Sequence, residues 1–372
     1  MKQTLCILAA GAALLTGLTG CSADEELSNV AQSASNEIRF NVVTTNPQTK
    51  AEIINGTGDL QQYPFRVYAY KGGESFMNDV KIAYNSGVWN YVDPNDQAYW
   101  PHNATLDFYA VCFGIYDEAL HEYPTITKDK QSFGVHIEDE FDNGSQPNMD
   151  VMYALAKNQS KMDNNGVVPL KFKHALCQVK FKAIKSERTR LINVEVKGMK
   201  LCSVSSLEMF TLPQLGEEKG SWTDYNTLST NYRIKLDNND PITVQNSLDI
   251  ATDLSTLQPL LCIPQSLTAW VPESGSTIIN TGDHPETKDG SSFLEIECKI
   301  WKDGHYFVGD VDRYGYTYVP FSAQWEEGKR YTYTLHFGGG YNPDGTEIDI
   351  VPITFTAEAT DWVDAPNDIT GF

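Results

Sequence analysis

Apolar and polar residues alternate along stretch after stretch of this chain, and that period of two constrains its fold more than any other feature. Ile38, Phe40 and Val42 alternate with Arg39 and Asn41. Phe65, Val67 and Ala69 alternate with Arg66, Tyr68 and Tyr70, and Leu106, Phe108 and Ala110 with Asp107 and Tyr109. The pattern returns at Val179, Phe181 and Ala183, at Val194 and Val196, at Tyr331, Tyr333, Leu335 and Phe337, and at Ile353, Phe355 and Ala357. Successive side chains of a strand point to opposite faces, so each run predicts a half-buried strand of an antiparallel sheet, with one core face and one wet face. Turn chemistry separates the runs. Gly72-Gly73, Asp142-Asn143-Gly144, Asn164-Asn165-Gly166, Gly338-Gly339-Gly340 and Asp344-Gly345 supply residues that accept positive φ. Many short strands joined this way predict an all-β chain built of sandwiches. No long amphipathic helix is expected after residue 21, only short turns near 186–191 and 254–257.

At 372 residues the chain is long enough for two domains of ordinary size. The stretch from Asn158 to Gly166 is polar, and Pro169 then opens a strongly alternating run. A boundary is therefore expected near residue 170, with domains at 37–170 and 171–372. The balance of 28 Lys and Arg against 49 Asp and Glu gives a net charge of −21. A polyanion of this kind repels phosphate backbones, so no nucleic-acid partner is expected.

The N-terminus reads as an address. Lys2 supplies a positive start, and the apolar stretch from Leu5 to Leu18 is too short to stay in a bilayer as a spanning helix. It ends in Leu18-Thr19-Gly20-Cys21, which matches the lipobox of bacterial lipoproteins, with a signal peptide at 1–20 and Cys21 as the lipidated first mature residue. Behind it, Ser22-Ala23-Asp24-Glu25-Glu26 opens a flexible acidic tether at 21–36 and is similar to the signal that exports lipoproteins to the cell surface in Bacteroidales-type bacteria. The expected location is the cell outer membrane, as a surface-exposed lipoprotein held through Cys21. Five further cysteines remain: Cys112, Cys177, Cys202, Cys262 and Cys298. An odd number with no C-x-x-C pair, in apolar strand contexts, reads as buried free thiols.

Catalytic signatures are missing from the sequence. No two of the seven histidines lie within four residues, which removes H-E-x-x-H, and there is neither a Gly-x-Ser-x-Gly elbow nor a phosphate-cradling glycine loop. Neither an enzyme nor a cofactor is expected. Asp310-Val311-Asp312, Asp237-Asn238-Asn239-Asp240 and Asp344 to Asp349 cluster oxygen ligands, but none matches an EF-hand loop. They read as solvated turns, and no metal site is assigned.

Several strings, in order, resemble the fimbrillin or Mfa-like family, the type V pilus subunits of Bacteroidales. Ile38-Arg39-Phe40 followed by Gln48-Thr49-Lys50-Ala51 is similar to the family's opening strand and the basic trimming site behind it. Phe65 to Tyr70, Trp89, Tyr99-Trp100-Pro101 and Leu106 to Ala110 follow. Phe172-Lys173-His174-Ala175-Leu176 resembles the opening of the second domain, and Ile263-Pro264-Gln265, Gly328 to Tyr333 and Asp361-Trp362 complete the set. The resemblance implies two transthyretin-like β-sandwich domains in tandem and assembly by donor-strand exchange. Ile38, Phe40 and Val42 would then form a removable strand, with cleavage at Lys50-Ala51 by a maturation protease. Ile353, Phe355 and Ala357 would lie in the donor strand. The implied partners are other pilus subunits, added strand to sheet, and a host or bacterial surface ligand, with stalk, anchor and tip roles all open. The family's usual trimming residue is Arg, and Lys50 stands there in this chain. A rival reading is a non-polymerising surface lipoprotein that binds glycans on a platform of Trp89, Tyr91, Tyr99 and Trp100.

Overall fold

The computed structural model describes residues 36–44, 57–114, 132–137, 150–213, 217, 219–224, 229–234, 240–255, 259–272, 278–280, 285–287, 289–350 and 352–362. Nearly all regular structure in them is strand. The first ten strands are β1 (Arg39–Thr44), β2 (Phe65–Lys71), β3 (Glu74–Asn85), β4 (Val88–Tyr91), β5 (Leu106–Phe113), β6 (Ser132–His136), β7 (Val151–Gln159), β8 (Val167–His174), β9 (Cys177–Lys185) and β10 (Asn193–Ser205). A single helical turn, Thr57–Leu60, precedes β2.

A seven-stranded sheet runs in the order β1-β8-β7-β5-β2-β3-β4. Its tight turns use the predicted chemistry: Gly72 and Gly73 join β2 to β3 at φ +55° and +87°. Before β8, Asn164, Asn165 and Gly166 take three successive left-handed conformations, which Asn and Gly tolerate best. A second large sheet centres on β10 and the strand Phe293–Lys302, and a third places β9 beside the strand Lys329–Phe337, with Thr354–Asp361 at its edge. β6 joins strands from later in the chain, pairing with Leu207–Thr211.

Most pairings are antiparallel, as expected. Among the described strand pairings two are parallel, β1 with β8 and β9 with Lys329–Phe337. Period-two patterning is the same for either direction, so the sequence carried no sign of them.

The described apolar residues form two large cores and a small third one. One large core gathers Ile38, Phe40, Phe65, Phe108, Leu170 and Phe172 with their neighbours, all from residues up to 172. The other is built mainly from residues after 174, but it also takes Tyr68, Tyr70, Tyr109, Val111, Phe113 and Tyr153 from the opposite face of the seven-stranded sheet. β2 and β5 are therefore covered on both sides, and the wet face expected for them does not exist. Tyrosine is the reason: alternation puts Tyr68, Tyr70 and Tyr109 on the solvent side, whereas their rings bury and Tyr68 turns its hydroxyl to the Asp79 carboxylate at 2.8 Å.

All five described cysteines are buried and free. Burial pushes the thiols of Cys112, Cys177, Cys262 and Cys298 well above their ordinary range, which keeps them as unreactive packing groups.

Candidate functional site

β1 is the first half of the site. Its inward residues are almost fully covered, at 0% exposure for Ile38, 6% for Phe40 and 3% for Val42. Phe40 sits among Phe65, Tyr91 and Phe108 with ring centres 6.1–6.2 Å away. Val168, Leu170 and Phe172 of β8 belong to the same core. Among the described strands β1 pairs only with β8, in register from Arg39 opposite Val167 to Thr44 opposite Phe172. Its entry is clamped. The Ile38 N–H donates to the Ala98 carbonyl at 2.9 Å, the Trp100 N–H to the Asn36 carbonyl at 2.9 Å, and the Tyr91 hydroxyl to the Ile38 carbonyl at 2.8 Å. The strand is thus an edge element that carries three core side chains. Cys21, Lys50 and Ala51 lie outside the described residues.

The other half is the strand Thr354–Asp361, paired over its full length with Lys329–Phe337 at the edge of a different sheet. Ile353 is buried and Phe355 half-buried, its ring 5.3 Å from Phe321 and 5.8 Å from Tyr333. Ala357 is exposed, contrary to the expected core face. The strand closes its sheet at an edge, and Phe355 reaches the core from there where the short Ala357 side chain does not. The structure therefore keeps β1 and this strand in separate sheets and does not bring them together.

The end of that strand is fastened by contacts far apart in sequence. Lys329 Nζ lies 2.6 Å from Asp361, and the Trp362 N–H donates to the Gly328 carbonyl at 2.8 Å. The Trp362 indole stacks on the His174 ring at 3.7 Å with the planes 7° apart, and His174 Nδ1 lies 2.9 Å from the buried Asp150 carboxylate. His174 is thus a hydrogen-bonded packing residue. Nearby, the Tyr153 hydroxyl donates to Glu327 Oε1 at 2.8 Å, and burial pushes the Glu327 carboxyl up to about 7. The Phe-Lys-His-Ala-Leu and Asp-Trp strings marked both ends of this junction, but nothing in them says that they meet.

Two of the three acidic turns spend oxygens locally, and Asp237, Asn238 and Asn239 of the third lie outside the described residues. Asp310 accepts from the N–H groups of Asp312 and Arg313 and pairs with the Arg313 guanidinium at 3.0 Å, and Asp344 accepts from the Thr346 N–H and hydroxyl. Among the described residues no group of His, Cys, Asp and Glu side chains is placed to hold a metal ion.

The stacking platform expected from Trp89, Tyr91, Tyr99 and Trp100 is overturned. Trp100 is buried at 4% exposure and donates its indole N–H to the Gly166 carbonyl at 2.8 Å. Trp89 packs half-buried against Phe65 and Tyr84, and Tyr91 faces the core beside Phe40. Of the four, Tyr99 alone is exposed. A ring with a core neighbour and a loop position looks the same in sequence whether it turns in or out.

Residues 49–362 match the model of a family described as fimbrillin-like. A fimbrial protein from Bacteroides vulgatus ATCC 8482 superposes with a TM-score of 0.52 at 15% identity, covering 88% of this chain and 99% of its own. The tip fimbrial protein Mfa3 from Porphyromonas gingivalis, with a C-terminal truncation, gives a TM-score of 0.37 at 10% identity, covering 81% of this chain and 94% of its own. No curated protein matches this chain.

Proposed function

Because the chain belongs to the fimbrillin-like family, we propose that it is a structural or accessory subunit of a cell-surface fimbria, assembled by donor-strand exchange and serving adhesion. The role is mechanical rather than catalytic. β1 carries this reading: an edge strand with one neighbouring strand, whose Ile38, Phe40 and Val42 nevertheless fill the core. Withdrawing it would open an apolar groove floored by Phe65, Phe108, Leu170 and Phe172, beside the unpaired backbone groups of β8. A strand from another subunit would refill the groove, regaining ladder hydrogen bonds and side-chain burial together. Thr354–Asp361 is suited to donate, since it already lies at an edge with most of its surface in solvent.

Donor and acceptor surfaces differ, so the contact is heterologous and grows a filament instead of closing. In this reading the chain is made as an outer-membrane lipoprotein, tethered through Cys21 after loss of residues 1–20. Cleavage between Lys50 and Ala51 would remove β1 and the lipid together. Two sandwich lobes divided near residue 170 fit the arrangement. One large core draws only on residues up to 172, and in each lobe the first strand pairs in parallel with a late one, β1 with β8 and β9 with Lys329–Phe337.

The test compares non-lipidated chains starting at Ser22 and at Ala51, run heated and unheated on a denaturing gel and imaged by electron microscopy. Heat-sensitive ladders or filaments from the shorter chain alone are expected. Monomers from both would remove trimming as the trigger.

A further inference from the structure

The aromatics expected to form a platform are dispersed, but a different set shares one open sheet face. The strand Phe293–Lys302 turns Leu294, Ile296, Cys298 and Ile300 to the core, leaving Glu295, Glu297, Lys299 and Trp301 on the other side. Its neighbours continue that outer face: Trp301 opposes Tyr306, Glu297 opposes Tyr316, and Lys299 opposes Glu195 of β10. Trp301 and Tyr306 lie nearly parallel, with ring centres 5.7 Å apart and planes 21° apart. Between these rows stands Tyr314. Lys299 Nζ lies 4.7 Å and Lys197 Nζ 5.3 Å from its ring centre, and its hydroxyl donates to Glu195 Oε1. Tyr316 is 49% exposed, and Trp301, Tyr306 and Tyr314 are each partly exposed.

Charge and composition narrow the occupant. Lys197 meets Glu297 at 2.7 Å, Lys200 meets Glu295 at 3.4 Å, and Lys299 stands opposite Glu195, so the face is locally neutral. It offers no net attraction to a charged ligand, and the chain's charge of −21 repels polyanions. Charged side chains stand between the rings along these rows, with the exposed Val311 at their side, whereas the centre of a protein interface is depleted of charge. Aromatic faces interleaved with hydrogen-bonding groups match a sugar ring, which presents C–H bonds on one face and hydroxyls around its rim. Tyr314, through its two cation–π contacts and its hydrogen bond, holds Lys197, Lys299 and Glu195 in place beside the stacking rings, so these polar groups lose little freedom on binding. From the row of Trp301 to that of Glu297 and Tyr316 the strand rises roughly 13 Å, the span of an oligosaccharide and not of one sugar.

We propose that this face binds a neutral oligosaccharide, stacked on Trp301, Tyr306 and Tyr316 and hydrogen-bonded by Glu195, Glu297, Lys197 and Lys299. The inference goes beyond strand exchange and does not depend on it, because β1 and Thr354–Asp361 belong to other sheets.

The full chain is titrated with neutral probes, namely malto-, cello-, manno- and N-acetylglucosamine oligomers, and followed by tryptophan fluorescence and calorimetry. At least one is expected to bind, with Trp301→Ala and Tyr316→Ala each weakening it by roughly threefold to tenfold. Tyr99→Ala, which removes an exposed ring elsewhere, should leave affinity unchanged. Thermal unfolding of each variant checks its fold, and Tyr316→Phe should retain binding if stacking carries it. Binding of none of the probes, binding indifferent to both alanine variants, binding of heparin alone, or a Tyr316-dependent dimer in sedimentation would each overturn the proposal.

Discussion

Glu327 is a carboxyl group buried with half of its hydrogen bonding met. Tyr153 serves Oε1, while Oε2 is buried without a well-formed hydrogen bond. Burial therefore outweighs the opposing pull of Tyr153, the Gly220 N–H, Lys219 and Lys173, and raises the group from 4.5 to about 7. The unfolded chain releases this proton near 4.5 and the folded chain near 7, so the stability it contributes is complete below 4.5 and is lost as pH rises to 7. Glu327→Gln keeps an acceptor for Tyr153 and removes the titration. Urea unfolding across that range should show the wild type losing about 3 kcal/mol relative to the variant. Parallel curves would mean that Glu327 is not the group responsible. Such a residue is invisible in sequence, since nothing distinguishes Glu327 from the exposed Glu326 beside it. Trp100 was hidden in the same way. Its direction is fixed by the left-handed turn at Asn164 to Gly166, which offers the Gly166 carbonyl to its indole across 66 positions of chain.

Strands were legible because a period of two is a local property. β1, β2, β5, β9, β10, Lys329–Phe337 and Thr354–Asp361 all stand where alternation placed them. What alternation cannot carry is whether a layer lies on the face it defines. β2 and β5 turned out to be covered twice, and Thr354–Asp361 hardly at all. That last strand poses a question at the scale of an element: whether its ion pair or its stacked indole holds it down. Lys329 and Asp361 meet in solvent, where such pairs contribute little. Trp362 is 3% exposed and lies flat on His174. Trp362→Ala should therefore destabilise the protein by roughly 2–4 kcal/mol and speed amide hydrogen exchange along Thr354–Asp361. Lys329→Ala should leave both nearly unchanged. The reverse ranking would assign the hold to charge.

For the molecule as a whole, the proposed trimming step is a stability event. Ile38, Phe40 and Val42 each contribute about 1.5–3 kcal/mol by burial, roughly 5–9 kcal/mol together, which is comparable to the entire margin of an ordinary domain. A trimmed chain without a replacement strand should sit close to unfolding in the part of the molecule that strand closed, and this gives a donor strand its driving force. The consequences should differ along the chain. β8 loses the partner with which it pairs over six residues, whereas β9 and Lys329–Phe337 keep each other through eight. Hydrogen exchange on the chain starting at Ala51, kept dilute enough to remain monomeric, should show protection lost first in β8 and then across β7, β5 and β2, while β9 and Lys329–Phe337 stay protected. A synthetic peptide with the sequence of residues 36–44 should restore protection in β8 when added in excess. Protection unchanged by trimming would show that β1 is dispensable to the core, and strand exchange at that groove would lose its driving force.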